Sequence, residues 1–199
     1  MDMKEMIAEG LLLIQNDSQH DLNVSFRCRL FSSLDEINGS TGRTQRTKLV
    51  ALGVEKAMPL WESHFPTDHT PHLAIKLADD FLTGKTSSAL AETEMGKMWT
   101  HCDNLAWSHS DKQCVIMVGY GAVQVIREAL SERHFGCEKV SHRSTDRDVD
   151  PYDQDSLFCA AIAYSGGSAW QKASDAKKRL EFWTWWLKDA IPTVVSGSA

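Results

Sequence analysis

CVIMVGYGAVQVIREAL, residues 114–130, is the stretch on which the fold reading turns. Two readings compete for it. Gly119-Tyr120-Gly121 behind a β-branched run resembles the opening of a dinucleotide-binding turn, where glycines let the backbone approach a pyrophosphate at a helix N-terminus. The third glycine position of that motif holds Gln124, however, and no acidic residue follows a second strand at the required distance. The other reading is a buried helix over roughly 112–132. A helix packed on every side is apolar nearly all round, and Gly119 and Gly121 then become notches where a neighbouring helix approaches closely. The helical reading is adopted, and it makes this segment the centre of the core.

Working outward, the apolar residues keep a helical period. Met3, Met6, Ile7, Gly10, Leu11 and Ile14 form one stripe, and Phe26, Leu30, Leu34 and Ile37 a second. Val50, Val54, Ala57 and Trp61 form a third, in which Pro59 is expected to kink or restart the helix. Thr70 reads as an N-cap with Pro71 at the first helical position, Leu73, Leu77 and Phe81 on one face, and Gly84 after the last apolar residue, Leu82. Ala91, Met95, Met98, Cys102 and Leu105 mark a fifth helix. Two more span roughly 153–164 and Ala176–Ala190, the latter between Asp175 and Pro192. No period-2 strand is found. The pattern predicts an all-α compact bundle of about eight helices, one domain over 1–199, with residues 1–40 least distinctive. Residues 133–152 form a polar loop, long enough to suggest a functional role.

Twenty-seven acidic residues against 21 basic ones give the 199-residue chain a net charge of −6. Such a surface disfavours nucleic acid and anionic membranes and suits a basic partner. Between residues 61 and 110 there are seven acids and three bases, which places −4 of that charge there. The start carries Asp2, Glu5 and Glu9 and lacks the basic, then apolar, pattern of a signal peptide. The run from Cys114 to Ile126 is too short to span a bilayer. Five cysteines, an odd number with no C-x-x-C, read as reduced and mostly buried thiols. These features predict a cytoplasmic protein.

Several constellations invite a catalytic reading, and each has a plainer one. His64, His69 and His72 lie near Glu62 and Asp68, but no H-E-x-x-H and no Glu followed three residues on by His occurs. Surface histidines are the simpler reading, so no metal and no cofactor are expected. His20-Asp21 is half of a His-Asp hydrolase signature without its upstream histidine. His134 and Cys137 could form a base–nucleophile pair only if a third group orients the base. Of seven tryptophans most are expected in the core, with Trp185 pointing to a second layer or to a partner. Asp146, Asp148, Asp150, Asp153 and Asp155, with Arg143 and Arg147 nearby, form an acidic run. Asp153 and Asp155 suit the N-terminus of the next helix, whereas Asp146 and Asp148 suit either solvent or a basic partner.

MPLWESHFPTDHTPHLAIKLAD (58–79) and DPYDQDSLFCAAIAYSGGSAWQKASDAKKRLEFWTWWLKDAIP (150–192) resemble an all-α immunity-protein family of bacterial polymorphic toxin systems, the one numbered five. WTHCDNLAW (99–107) and VGYGAVQVIREAL (118–130) fit its middle. The resemblance joins LWE-x-x-FP, D-x-D-P, AY-x-GG-x-x-W and FW-x-WWL in one order and covers the chain from about residue 45. One departure is Gln154, where an aromatic is expected before Asp155.

The resemblance implies a binding protein that neutralises a cognate toxin and performs no catalysis itself. A chain without a secretion signal would meet that toxin in the cytosol. The acidic surface favours a basic, nuclease-type toxin domain, because such enzymes bind phosphate and an acidic inhibitor gains steered association with them. Asp146, Asp148, Asp150 and Tyr152 are the expected contacts, with Asp79 and Asp80 as a second choice. No nucleic acid and no membrane are expected as partners. The alternative is a metal-dependent or nucleotide-using helical enzyme.

Overall fold

The computed structural model describes residues 2–38, 40–134, 137, 140–141 and 144–197, with backbone alone at 36–38, 40 and 151. Ile37 and Arg143, named above, fall outside the described side chains. Among the described residues there is no strand, and the helices are α1 (Met3–Asn16), α2 (Val24–Asn38), α3 (Ser40–His64), α4 (Thr70–Leu82), α5 (Ser88–Ser108), α6 (Gln113–Leu130), α7 (Ser156–Ser165) and α8 (Ala176–Trp185). The last continues through a π-helical turn, Trp186–Ala190, into Ile191–Ser196.

Helix α6 is the hub, packing against α3, α4, α5 and α7. Its notches work as expected of a buried helix. A Cβ on Gly119 would stand 2.8 Å from Cys102 Sγ and 2.9 Å from the Trp61 ring, and one on Gly121 would stand 3.1 Å from Cys159 Cβ. Helix α7 is buried over nearly its whole length, from Leu157 to Ala163. Its small Ala160, Ala161 and Ala163 let it lie between α6 and α3. Asp155 caps it through the Phe158 amide at 2.8 Å. It ends on Gly166, whose φ of 74° is the left-handed conformation that a glycine adopts without strain.

Three indole-bearing positions close the core, and each indole N–H finds an acceptor, as burial requires. Trp61 donates to the Asp68 carbonyl at 2.8 Å, Trp183 to Asp21 Oδ1 at 3.3 Å and Trp186 to the Leu49 carbonyl at 3.2 Å. Trp99 and Trp185 are half-buried, whereas Trp107 and Trp170 are exposed.

The structure departs from the sequence expectations at three helix features. Helix α3 does not restart at Pro59 but continues through it; Pro59 and Glu55 both lie on the exposed side, where the carbonyl deprived of its donor faces water. The cap of α4 is His69 rather than Thr70, because the Asp68 carboxylate accepts the Thr70 amide at 2.9 Å and moves the start by one residue. The last helix does not stop before Pro192. The Ile191 amide reaches back to the Trp186 carbonyl, and the widened turn admits a residue that has no N–H.

Candidate functional site

The acidic run divides into two halves with opposite surroundings. Asp146 is 3 % exposed and Asp155 4 %. Both face Arg27, which α2 contributes to the interior and which is itself fully buried. Arg27 Nη2 donates to Asp146 Oδ1 at 2.5 Å and to Asp155 Oδ2 at 2.8 Å, and its Nε donates to Asp155 Oδ2 at 2.9 Å. Nη1 adds the Leu22 carbonyl at 2.5 Å. Two carboxylates around one guanidinium cannot both be held equally. Burial pushes the Asp146 carboxyl up to about 6 against the pull of Arg27. Burial acts on Asp155 in the same sense, but Arg27, His134 and the Phe158 amide outweigh it and hold that carboxyl below its ordinary value.

Asp146 therefore departs from the expectation of a surface contact. Its charge is engaged inside the protein, at the floor of an open cavity of about 670 Å³ whose walls include Asp17, Asp21, Arg147 and Trp170. A second buried ion cluster lies beside it. Glu128 of α6 accepts Arg46 Nε at 2.7 Å and faces His134 Nδ1 at 2.7 Å, while Arg46 also pairs with Asp35. Burial alone would raise the Glu128 carboxyl, but His134 and Arg46 together hold it low.

The other half of the run faces solvent. Asp148 is exposed and accepts the Thr145 amide at 2.8 Å, which lowers its carboxyl. Asp150, also exposed, accepts the Tyr152 amide at 2.9 Å. The Tyr152 carbonyl takes hydrogen bonds from Arg127 Nη1 at 2.9 Å and Gln124 Nε2 at 3.2 Å, so the backbone of this turn is pinned to α6. Its side chain stays 66 % exposed. The ring packs against Trp99 of α5, centroids 5.8 Å apart, and Trp99 in turn packs against Tyr120 of α6 at 5.0 Å. Tyr120 donates its hydroxyl to Asp103 Oδ1 at 2.6 Å, and burial together with that bond raises the phenol.

Trp99, Asp103 and Trp107 recur every four residues and so share one side of α5. Trp107 is 88 % exposed. The resulting face carries Tyr152, Trp99, Asp103 and Trp107, with Asp148 and Asp150 on the adjoining turns. Aromatic anchors beside charged groups are the composition of protein-binding surfaces. The sequence expectation included Tyr152, Asp148 and Asp150 but not Trp107 or Asp103. The spacing within WTHCDNLAW was the available signal.

Asp79 and Asp80 belong to α4. Asp79 is exposed on the wall of a cavity of about 300 Å³ shared with α3, α6 and Val194. Asp80 pairs with Lys76 and lies 3.6 Å from Lys85, and the hydrogen bond from Lys76 lowers its carboxyl.

The enzymatic motifs resolve into structural parts. Gly119 and Gly121 lie inside α6, where their amides belong to the helix and not to a phosphate-binding turn. His20 closes the end of α1 on the Ile14 carbonyl at 2.7 Å, and Asp21 faces Trp183 and Arg179. His72 pairs with Glu62, and His101 with Asp68 at 2.6 Å. The reading of all five cysteines as free thiols is corrected: Cys28 and Cys137 form a disulfide across 109 residues of sequence, leaving Cys102, Cys114 and Cys159 free. Burial raises the Cys102 thiol to about 12, aided by Asp68 and Asp103.

Fold and site together define a helical protein whose buried ionic groups hold the scaffold and whose exposed rings and carboxylates are free to meet another molecule. The chain belongs to the family of immunity protein Imm5, whose family model matches residues 7–193. The match includes α2 and most of α1, which the sequence resemblance left out. No curated protein matches the chain. Among the described residues no helix is long and apolar enough to cross a membrane.

Proposed function

We propose that this immunity protein binds and neutralises a cognate toxin acting in the cytosol, a basic nuclease-type domain, by covering its active site or substrate groove. The family supplies the role of immunity protein and a toxin as partner. The observation that carries the finer reading is the aromatic–acidic face, with Tyr152 66 % exposed against Trp99 in the turn that Asp150 caps, Trp107 88 % exposed two turns along α5 from Trp99, and Asp148 exposed on the preceding turn. Large exposed rings give affinity when a partner desolvates them. Carboxylates around them steer a positively charged partner and exclude others. Asp146 contributes from beneath by fixing the loop, and Asp79 and Asp80 provide a second acidic patch. The chain acts as one domain and makes no covalent bonds with its target.

A toxin domain found in the neighbouring reading frame would be the test partner. The purified pair should form a tight complex, and co-expression should rescue growth. Trp107→Ala and Tyr152→Ala should each weaken binding at least about tenfold, the scale of an interface hot spot. If both variants bind and protect as the parent does, the face is not the contact.

A further inference from the structure

Cys28 comes from α2, and His134 and Cys137 come from the loop after α6. Their ligating atoms all lie within 4.8 Å of one another. The two sulfurs are joined, with Cα atoms 5.6 Å apart. His134 is 4 % exposed, and its two ring nitrogens differ in their surroundings. Nδ1 meets Glu128 Oε2 at 2.7 Å, and Glu128 is fixed in turn by Arg46. Nε2 is buried without a hydrogen-bond partner among the described residues. The Asp155 carboxylate, 4.0 Å away, is beyond hydrogen-bond reach. A buried nitrogen left unpaired costs free energy and calls for a reason. In histidine metal sites one ring nitrogen binds the ion while a carboxylate orients the other, and Glu128 stands where that carboxylate would.

We propose that in the reduced protein Cys28 Sγ, Cys137 Sγ and His134 Nε2 bind a zinc ion, with water in the fourth position. Two thiolates and one imidazole are a ligand set zinc favours. Two thiolates cancel the charge of the ion, so binding adds no net charge to an interior already holding Arg27, Arg46, Glu128, Asp146 and Asp155. Thiolates about 2.3 Å from zinc stand about 3.8 Å apart, a separation that side-chain rotation reaches from these Cα positions. The site opens when a dithiol reductant supplies two electrons and two protons. The S–S bond breaks, two thiols form, and the reductant becomes a disulfide. Both thiol protons then leave to solvent as the zinc–sulfur bonds form. Disulfide and zinc are mutually exclusive, and each ties α2 to the loop that carries the acidic run. A reducing compartment favours the zinc form.

The test uses the full chain, reduced with a phosphine, desalted without air, and titrated with Co²⁺ and then Zn²⁺. The reduced protein should develop a thiolate-to-cobalt absorption band and bind about one equivalent of Zn²⁺ with a Kd below about 1 µM. The oxidised chain should bind at least about a hundredfold more weakly. His134→Gln and Cys137→Ser should each weaken binding at least about tenfold, with circular dichroism reporting the fold. Cys114→Ser, which removes the half-buried free thiol, should bind like the parent. The reduced and oxidised forms of the unaltered chain give a comparison that needs no variant to fold. Absence of the thiolate band, equal binding by both forms, or loss of the band in Cys114→Ser alone would each overturn the proposal.

Discussion

Asp146 and Asp148 belong to one short 3₁₀ turn, two residues apart, yet they live in different media. Asp146 is buried against Arg27 and Asp155. Asp148 is exposed and, among the described residues, held by Thr145 alone. An acidic run is thus two devices: one half folds the loop, and the other half presents charge to solvent. Coulomb attraction in the interior is strong because water is absent. At the surface it is weak over one contact but acts at a distance on a charged partner.

The largest effect expected from this contrast follows Arg27→Met. It removes the guanidinium that the buried Asp146 and Asp155 share and should cost about 3–5 kcal/mol of stability in a denaturant titration. Gly119→Val comes next. Its side chain would enter the space held by Cys102 and Trp61, at a cost of about 1–3 kcal/mol. A fully retained stability in either variant would show that the interior is looser than described.

Asp146→Asn sharpens the comparison through pH. The Asp146 carboxyl titrates near 6 in the folded chain, against 3.8 for the unperturbed group. Folding therefore takes up a proton in that window, and this contribution to stability grows as pH falls through 6. Asp155 and Glu128 act in the opposite sense. Their carboxyls are lowered on folding, and the stability they give is present near neutrality and lost once pH falls below about 4. Between pH 7 and 5 the stability difference between parent and Asp146→Asn should thus shift in favour of the parent as pH falls. A difference independent of pH would contradict the placement of Asp146. The smallest effect belongs to Asp148→Lys with Asp150→Lys, two exposed carboxylates that cap short turns, which should leave the denaturant midpoint close to that of the parent.

The sequence disclosed what depends on local periodicity and little that depends on partners far along the chain. Helix α6 was legible because it is apolar all round, and the role of Gly119 and Gly121 as notches followed. The Asp175 and Asp155 caps were legible because capping is local. The burial of Asp146 was hidden, since its partner Arg27 lies 119 residues away. The pairing of Cys28 with Cys137 was hidden for the same reason. Of the candidate face, Tyr152 and the loop carboxylates were legible as an exposed acidic segment. Trp107 was not, because a tryptophan on an amphipathic helix reads as core until the neighbouring helices are known.

The rate at which the chain associates with its cognate toxin domain, followed by stopped flow across a salt series, tests the central claim most directly. For the parent the rate should fall as salt rises, and Asp148→Lys with Asp150→Lys should slow it about tenfold at low salt and flatten the salt dependence. An unchanged rate and an unchanged salt dependence in that variant would contradict the account.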